Sequence, residues 1–420
     1  MRRKQKPFAQ VLPALKSIGL ARLALILVVA LLGAYLSFAF AVAGVTRNKN
    51  PAIALKFIPW EGVALTKQAD QLFLANVKNP PKAVTALARE SLRWQALNPS
   101  ALRLLGYTSP QNGDQAQGAR HFIELAARLS RREPGAQLWL VQRAAADGEL
   151  PQALSHIDVL LKTRPSSSAA LFPILLQGLP DPGFRKLFRD YMRKPSPWVG
   201  NFLSYAVGNT ADLQSMVKLI VEANGFPDYG ASPGQARHLM DRLDKAGQYE
   251  ALRRVYLLMP GAKTTRLQNP EFDKSDVDEQ FGIVGWQSFD GPDAGAAVID
   301  GKNSAKPQLT LYVSASTTRR VASRLLILNP GPYTLSTTIE EAEYGAGGGM
   351  SWQLRCPTRE AGGHPWSGKL VGKESSMVLP IPADCPVQFL DLMASGGQGQ
   401  VGGLDATISN VKLSPVGRTQ

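Results

Sequence analysis

The chain has 420 residues and a formal net charge of +14, room enough for two or more domains. Residues 1–50 carry eight basic and no acidic side chains, residues 51–275 a net +9, and residues 276–420 a net −3. A basic stretch of this kind suits anionic lipid headgroups, an acidic polymer or plain solvation; nucleic acid is excluded as a partner because the basic part is expected outside the cytoplasm.

That expectation comes from Leu23–Val45, which holds no Asp, Glu, Lys, Arg or His. As a helix it reaches roughly 34 Å, enough to cross a hydrocarbon core of ~30 Å. Arg2, Arg3, Lys4, Lys6, Lys16 and Arg22 precede it, and only Arg47 and Lys49 follow closely. The asymmetry predicts a cytoplasmic basic tail at 1–18, a single-pass anchor at 19–45 and the bulk of the chain across a bacterial inner membrane, in the periplasm. A cleaved signal peptide is the rival reading. Ala39-Phe40-Ala41 and Ala41-Val42-Ala43 have the small-residue form of a cleavage site, but the apolar run is longer than an ordinary signal core.

Residues 59–265 read as successive helices. Phe122, Leu125, Ala126 and Leu129 keep the i, i+3, i+4, i+7 spacing of a buried face, and Ile157, Leu160 and Leu161 continue the pattern. Asn98-Pro99, Glu133-Pro134, Arg164-Pro165 and Lys194-Pro195 recur at spacings of 35, 31 and 30 residues and mark helix boundaries. Asp147-Gly148 and Gly247-Gln248 mark tighter turns, each followed by a helix with a small alanine. Asn224–Pro233 reads as a loop, helices resume over Gln235–Met259, and residues 266–280 read as a polar linker.

On these features the region resembles tetratricopeptide repeats, most clearly over Gly135–Pro165, with Gly106-Tyr107 in a place comparable to the family's Gly-Tyr pair. The family's early Trp is mostly missing. The resemblance implies an α-solenoid of helix hairpins with a scaffold role toward envelope proteins and specifies no peptide-binding residue. An irregular helical bundle is the alternative.

Residues 281–416 change pattern. Phe281–Phe289, Gln308–Val313, Val321–Leu328, Tyr333–Ile339, Ser351–Cys356, Cys385–Met393 and Asp405–Leu413 read as strands, which predicts an antiparallel β-sandwich of jelly-roll type. Cys356 and Cys385 are the only cysteines; their spacing is no zinc motif, and in an oxidising compartment they are expected to form a disulfide rather than two buried thiols.

Three stretches carry a second resemblance: FGIVGWQSF at 281–289, LNPGPYTL at 328–335 and LDATISNVKL at 404–413. They resemble galactose-binding-like carbohydrate-binding modules. The resemblance implies a non-catalytic sandwich that holds polysaccharide, with aromatic rings stacked on sugars. Tyr344, His364 and Trp366 lie in expected loops and are the candidate ligand-binding residues. Trp286 and Trp352 fall in strands and are expected in the core. Asp391 and Asp405 are considered for a structural calcium.

No catalytic or cofactor-binding constellation accompanies these features. Gly345–Gly349 lacks the Lys of a phosphate loop and reads as a flexible connection. His121, His156 and His238 stand singly on expected helices. Glu340, Glu341 and Glu343 are the carboxylates that a divergent carbohydrate-active enzyme would use, but adjacency in sequence does not supply the ~5–10 Å geometry that glycosidases need. The expectation is therefore a membrane-anchored scaffold or accessory protein, not an enzyme, that serves cell-surface polysaccharide synthesis or export. The alternatives are that enzyme and a purely structural assembly protein.

Overall fold

The computed structural model describes residues 19–110, 116–228, 233–301, 306–357, 365–398 and 402–417. Helices precede strands, and the chain divides into two compact units, Met1–Ser167 and Ser168–Gln420.

In the first unit, α1 (Leu20–Thr46) is apolar around its circumference and long enough to cross a membrane, a character that anchors and signal sequences share. Its last turns are packed against the chain that follows. Ala39 and Ala43 are buried in one cluster with Ala54, Ile58 and Ala64, and Phe38 meets Phe57 edge-on at 5.7 Å. These partners lie on α2 (Pro51–Phe57), at its end, and on α3 (Gly62–Ala75). Alanines four residues apart share one helix face and allow this close approach. Both motifs that read as cleavage sites therefore contain buried side chains.

Five more helices follow: α4 (Lys82–Trp94), α5 (Pro99–Thr108), α6 (Ala116–Leu129), α7 (Pro134–Ala146) and α8 (Leu150–Thr163). They pack as successive hairpins, α3 on α4, α5 on α6 and α7 on α8. Pro99 and Pro134 open their helices at positions where the missing N–H has no partner to lose. Asn98 caps α5 through Oδ1, which accepts from Ala101 N at 3.2 Å, while its Nδ2 donates to Thr66 Oγ1 and Ser91 Oγ at 2.8 and 3.0 Å. Buried Arg103 ties neighbouring hairpins: Nε donates to Glu133 at 2.7 Å, Nη2 bonds Asp70, and the guanidinium lies over the Tyr107 ring.

The second unit opens with α9 (Ser168–Gln177), α10 (Pro182–Met192), α11 (Pro197–Asn209), α12 (Leu213–Glu222), α13 (Pro233–Lys245) and α14 (Tyr249–Leu257). Lys194-Pro195 lies in the boundary between α10 and α11, as expected, and Pro197 is the first residue of α11. Gly148 and Gly247 adopt φ of +75° and +66°, the left-handed conformation that ends a helix.

The stretch read as a linker is ordered and packed. Phe272 enters the sandwich core, Leu267 O accepts from Ile327 N at 2.7 Å, and Pro270 O accepts from the Trp286 indole at 3.0 Å. Asp276 lies in α15 (Lys274–Val277) and is fully buried. Its Oδ1 accepts from Arg266 Nη1 at 2.8 Å, Arg324 Nη1 at 2.9 Å and Trp286 N at 3.2 Å; its Oδ2 accepts from Asp273 N. Arg266 lies over Phe281 and Arg324 over Trp286.

Two five-stranded antiparallel sheets face each other. The first has the order β1 (Trp286–Ser288), β4 (Thr318–Leu326), β9 (Gln388–Ser395), β6 (Gly349–Arg355), β7 (Trp366–Lys369). The second has the order β2 (Ala294–Ile299), β3 (Gln308–Val313), β10 (Leu404–Pro415), β5 (Gly331–Tyr344), β8 (Glu374–Ile381). Trp286 and Trp352 are core residues, and the Trp352 indole crosses between sheets to donate to Thr337 Oγ1 at 2.9 Å. Cys356 and Cys385 form a disulfide with Cα atoms 5.6 Å apart, joining the end of β6 to the chain entering its neighbour β9.

The first expected strand, Phe281–Phe289, is shorter than its composition implied. Gly282–Val284 is a 3-10 turn with Gly282 at φ +50°, and only Trp286–Ser288 pairs in the sheet. Strands β2, β7 and β8 lie outside the expected set. Ala and Gly dominate β2 and Ser is frequent in β8, so neither stands out by β-propensity, and β7 is four residues long.

Two outcomes follow. Asp276→Ala takes the carboxylate from fully buried Arg324, leaves Arg266 with Asp273 alone, and should destabilise the second unit by about 3–5 kcal/mol, measured by urea unfolding with near-UV circular dichroism. Cys356→Ala with Cys385→Ala opens a covalent loop spanning 29 residues and should cost about 3–4 kcal/mol by the same measurement.

Candidate functional site

Strand alternation builds a polar face on the outside of the first sheet. Residues 352, 354, 390 and 392 turn into the core, so their neighbours 353, 355, 389 and 391 turn out. The register aligns Gln287, Ser323, Asp391, Gln353 and Ser367 in one row across all five strands. A second row holds Arg320, Met393, Ser351 and Lys369, and a third holds Leu325, Phe389 and Arg355. A groove of about 760 Å³ lies over this face, with Phe289, Arg319, Arg320, Gln353, Arg355 and Met393 among its walls.

Asp391 is the buried floor of the groove. Ser323 Oγ bonds its Oδ1 at 2.5 Å, Arg355 Nε donates to Oδ2 at 2.8 Å, and Arg320 approaches at 3.6 Å. Two arginines thus meet one carboxylate, leaving the face cationic. Arg319 stacks on the half-buried Phe289 ring at 5.0 Å, and Arg355 lies 4.2 Å from the Phe389 ring centroid. At the Phe389 end the face is closed by Tyr249 of α14, whose ring stands 6.4 Å from Phe389. Burial is the main cause that pushes Asp244 up from the usual carboxylate range, with the Tyr249 bond and Arg355 acting against it; burial likewise raises Tyr249 to about 12.

The residues singled out from sequence are scattered. Tyr344 ends β5 in the second sheet, opposite Leu404, and is exposed. Trp366 begins β7 on the far edge of the first sheet, half-buried against the core. They stand beside opposite ends of β6 and form no common site, because Tyr344 precedes the turn into that strand and Trp366 pairs with Leu354 near its close. His364 lies outside the described residues.

Asp391 and Asp405 belong to different sheets, and arginines take the place a calcium ion would need at Asp391. Among the described residues no group of three or more His, Cys, Asp and Glu gathers at metal-binding distance. Gly345–Gly349 is a tight junction rather than a loose connection. A Cβ on Gly345 would come within 2.7 Å of Gly396 O, and Gly345 N donates to Gly403 O at 2.8 Å. Glu340, Glu341 and Glu343 are exposed on β5.

A second groove, of about 810 Å³, lies among α6, α7 and α8 of the first unit. Arg128, Arg131, Arg143 and His156 line it. His156 Nδ1 is 2.8 Å from Gln137 Oε1, and burial holds its pKa below the ordinary histidine value.

The pH dependence of the closed end follows from Tyr249. Its folded-state pKa lies above the ~10 of an unfolded tyrosine, so the stability it adds is complete below pH 10 and is lost as pH rises toward 12. Tyrosine 13Cζ NMR should show one resonance that titrates near 12 and is absent in Tyr249→Phe; Asp244→Asn should move that resonance to lower pH.

No protein-family model matches the chain, and no curated protein matches it. Solved structures overlap part of it. The enzymatically active domain of bacteriophage CBA120 tailspike protein 4 is 13% identical with a TM-score of 0.22 over 31% of this chain, which spans only 19% of that domain. The carbohydrate-binding module TmCBM61, solved with β-1,4-galactotriose, is 11% identical with a TM-score of 0.24 over 34% of this chain and 98% of its own. A CBM4 module is 12% identical with a TM-score of 0.21 over 36% of this chain and 88% of its own.

Proposed function

We propose that this protein is a membrane-tethered, non-catalytic polysaccharide-binding scaffold. In this reading α1 anchors it in a bacterial inner membrane, the remainder lies in the periplasm, and the role is accessory to making or exporting a cell-surface glycan. The single observation that carries the proposal is the outer face of the first sheet: five aligned polar residues, rimmed by Arg320, Arg355 and Lys369, under an open groove with Phe289 at its side. Hydroxyl-rich chains need donors and acceptors in rows, and cations at the rim favour a chain that bears carboxylates.

The helical hairpins of the first unit supply the scaffold part. Stacked pairs of the tetratricopeptide kind leave broad surfaces for protein partners, and the groove among α6, α7 and α8 is rich in arginine. It suits an acidic segment of an envelope protein. The disulfide supports an oxidising compartment.

Affinity electrophoresis of the full chain in detergent, with acidic and neutral bacterial polysaccharides in the gel, tests the glycan part. Retardation by an acidic polymer is expected, and Arg320→Ala should weaken it about ten-fold, the loss of one charge-assisted hydrogen bond. Equal mobility in every polymer overturns the proposal.

A further inference from the structure

We infer that the first helical hairpin of this protein rests on the lipid surface, through an apolar footing at Trp60, Trp94 and Leu97. The inference rests on reading α1 as a membrane span and adds a second, lateral contact with the bilayer.

The height of the footing is set by contacts with α1. Phe57 and Ile58 pack beside Phe38, Ala39 and Ala43, in the last ~12 Å of that helix. Arg47 follows α1 directly, and its Nη1 donates to Glu61 Oε1 at 3.3 Å. Trp60, the residue before Glu61, is thereby held at the level where the apolar helix ends and charge begins. The Trp94 ring stands 6.1 Å from that of Trp60, which brings the end of α4 to the same level.

Among the described residues these side chains are only partly covered. Trp60 is 46% exposed, Trp94 58% and Leu97 73%. The Trp94 indole N–H nevertheless has a partner, donating to Glu90 Oε1 at 2.9 Å, so what the exposed ring lacks is apolar contact. Exposed Lys49 and Lys56 lie in the same stretch, between α1 and Trp60. Exposed indole rings and lysines in one stretch are the composition of a bilayer interface, where the ring sits at headgroup depth and ammonium groups meet anionic lipid. A protein partner would also cover an apolar patch, but the fixed height beside the end of α1 favours lipid.

Spin labels test this on the full chain, whose native cysteines are bonded to each other. Leu25→Cys, Leu97→Cys and Gln142→Cys are labelled one at a time in vesicles of phosphatidylethanolamine and phosphatidylglycerol. Leu25 reports on the anchor, and Gln142 is an exposed position on α7. The label at 97 should collide with a water-soluble nickel chelate several-fold less than the label at 142, and with oxygen more. Brominated lipid should quench the wild-type tryptophan emission and lose part of that quenching in Trp60→Phe with Trp94→Phe. A lipid-exposed label at 25 with equal chelate access at 97 and 142 overturns the footing while the anchor stands. A water-exposed label at 25 overturns the anchor and the footing together.

Discussion

Burial of one carboxylate between two guanidiniums governs the second unit. Asp276 has no solvent, so its charge must be met inside the fold, and Arg266 and Arg324 meet it. Such a cluster costs desolvation that its own attraction only partly offsets. What it adds is position. Arg324 comes from a central strand, Asp276 from the short helix before the sheets and Arg266 from the turn after the last long helix. Burial is also the leading influence on Arg324, lowering its pKa, with Asp276 acting in the opposite sense.

That positional role extends to the opposite side of the same sheet. In β4 the side chain of Arg324 points inward while those of Ser323 and Arg320 point outward, with an irregularity in pairing between Arg320 and Ala322. A slip by one residue would exchange the faces of the strand. It would put Ser323 into the apolar core and Arg324 into the groove. The buried knot and the polar row are therefore two sides of one register, and the groove owes its alignment to an ion cluster that it never touches.

Much of the architecture was legible in residue patterns, because those patterns report local physics. Prolines at helix starts, glycines in left-handed caps and the motif LDATISNVKL each act within a few residues, and each lies where it was expected. The disulfide was legible too, since only two cysteines exist. The candidate face was not. Its members come from five strands, and only pairing brings Gln287, Ser323, Asp391, Gln353 and Ser367 together. The available signal was the polar–apolar alternation in SWQLRC and the lone Asp391 amid the apolar run of QFLDLM. Tyr344 and Trp366 drew notice as aromatic residues in expected loops, but both lie in strands, in different sheets. The supposed linker misled for a related reason: Arg266 and Asp276 are buried as a pair among exposed polar neighbours, and composition alone reads paired charges as solvated ones.

The alanine seam of α1 has a consequence for the helical stack itself. In a row of helix pairs, each pair covers the apolar flank of its neighbour, and the terminal pair needs a lid. Here Ala54, Ile58 and Ala64 are sealed by Ala39 and Ala43. In the anchored reading proposed above, one helix serves two solvents, facing lipid along most of its length and closing a protein core along its last turns. A chain cut free of α1 would begin with an open end, so the boundary of the folded domain falls inside this helix rather than after it.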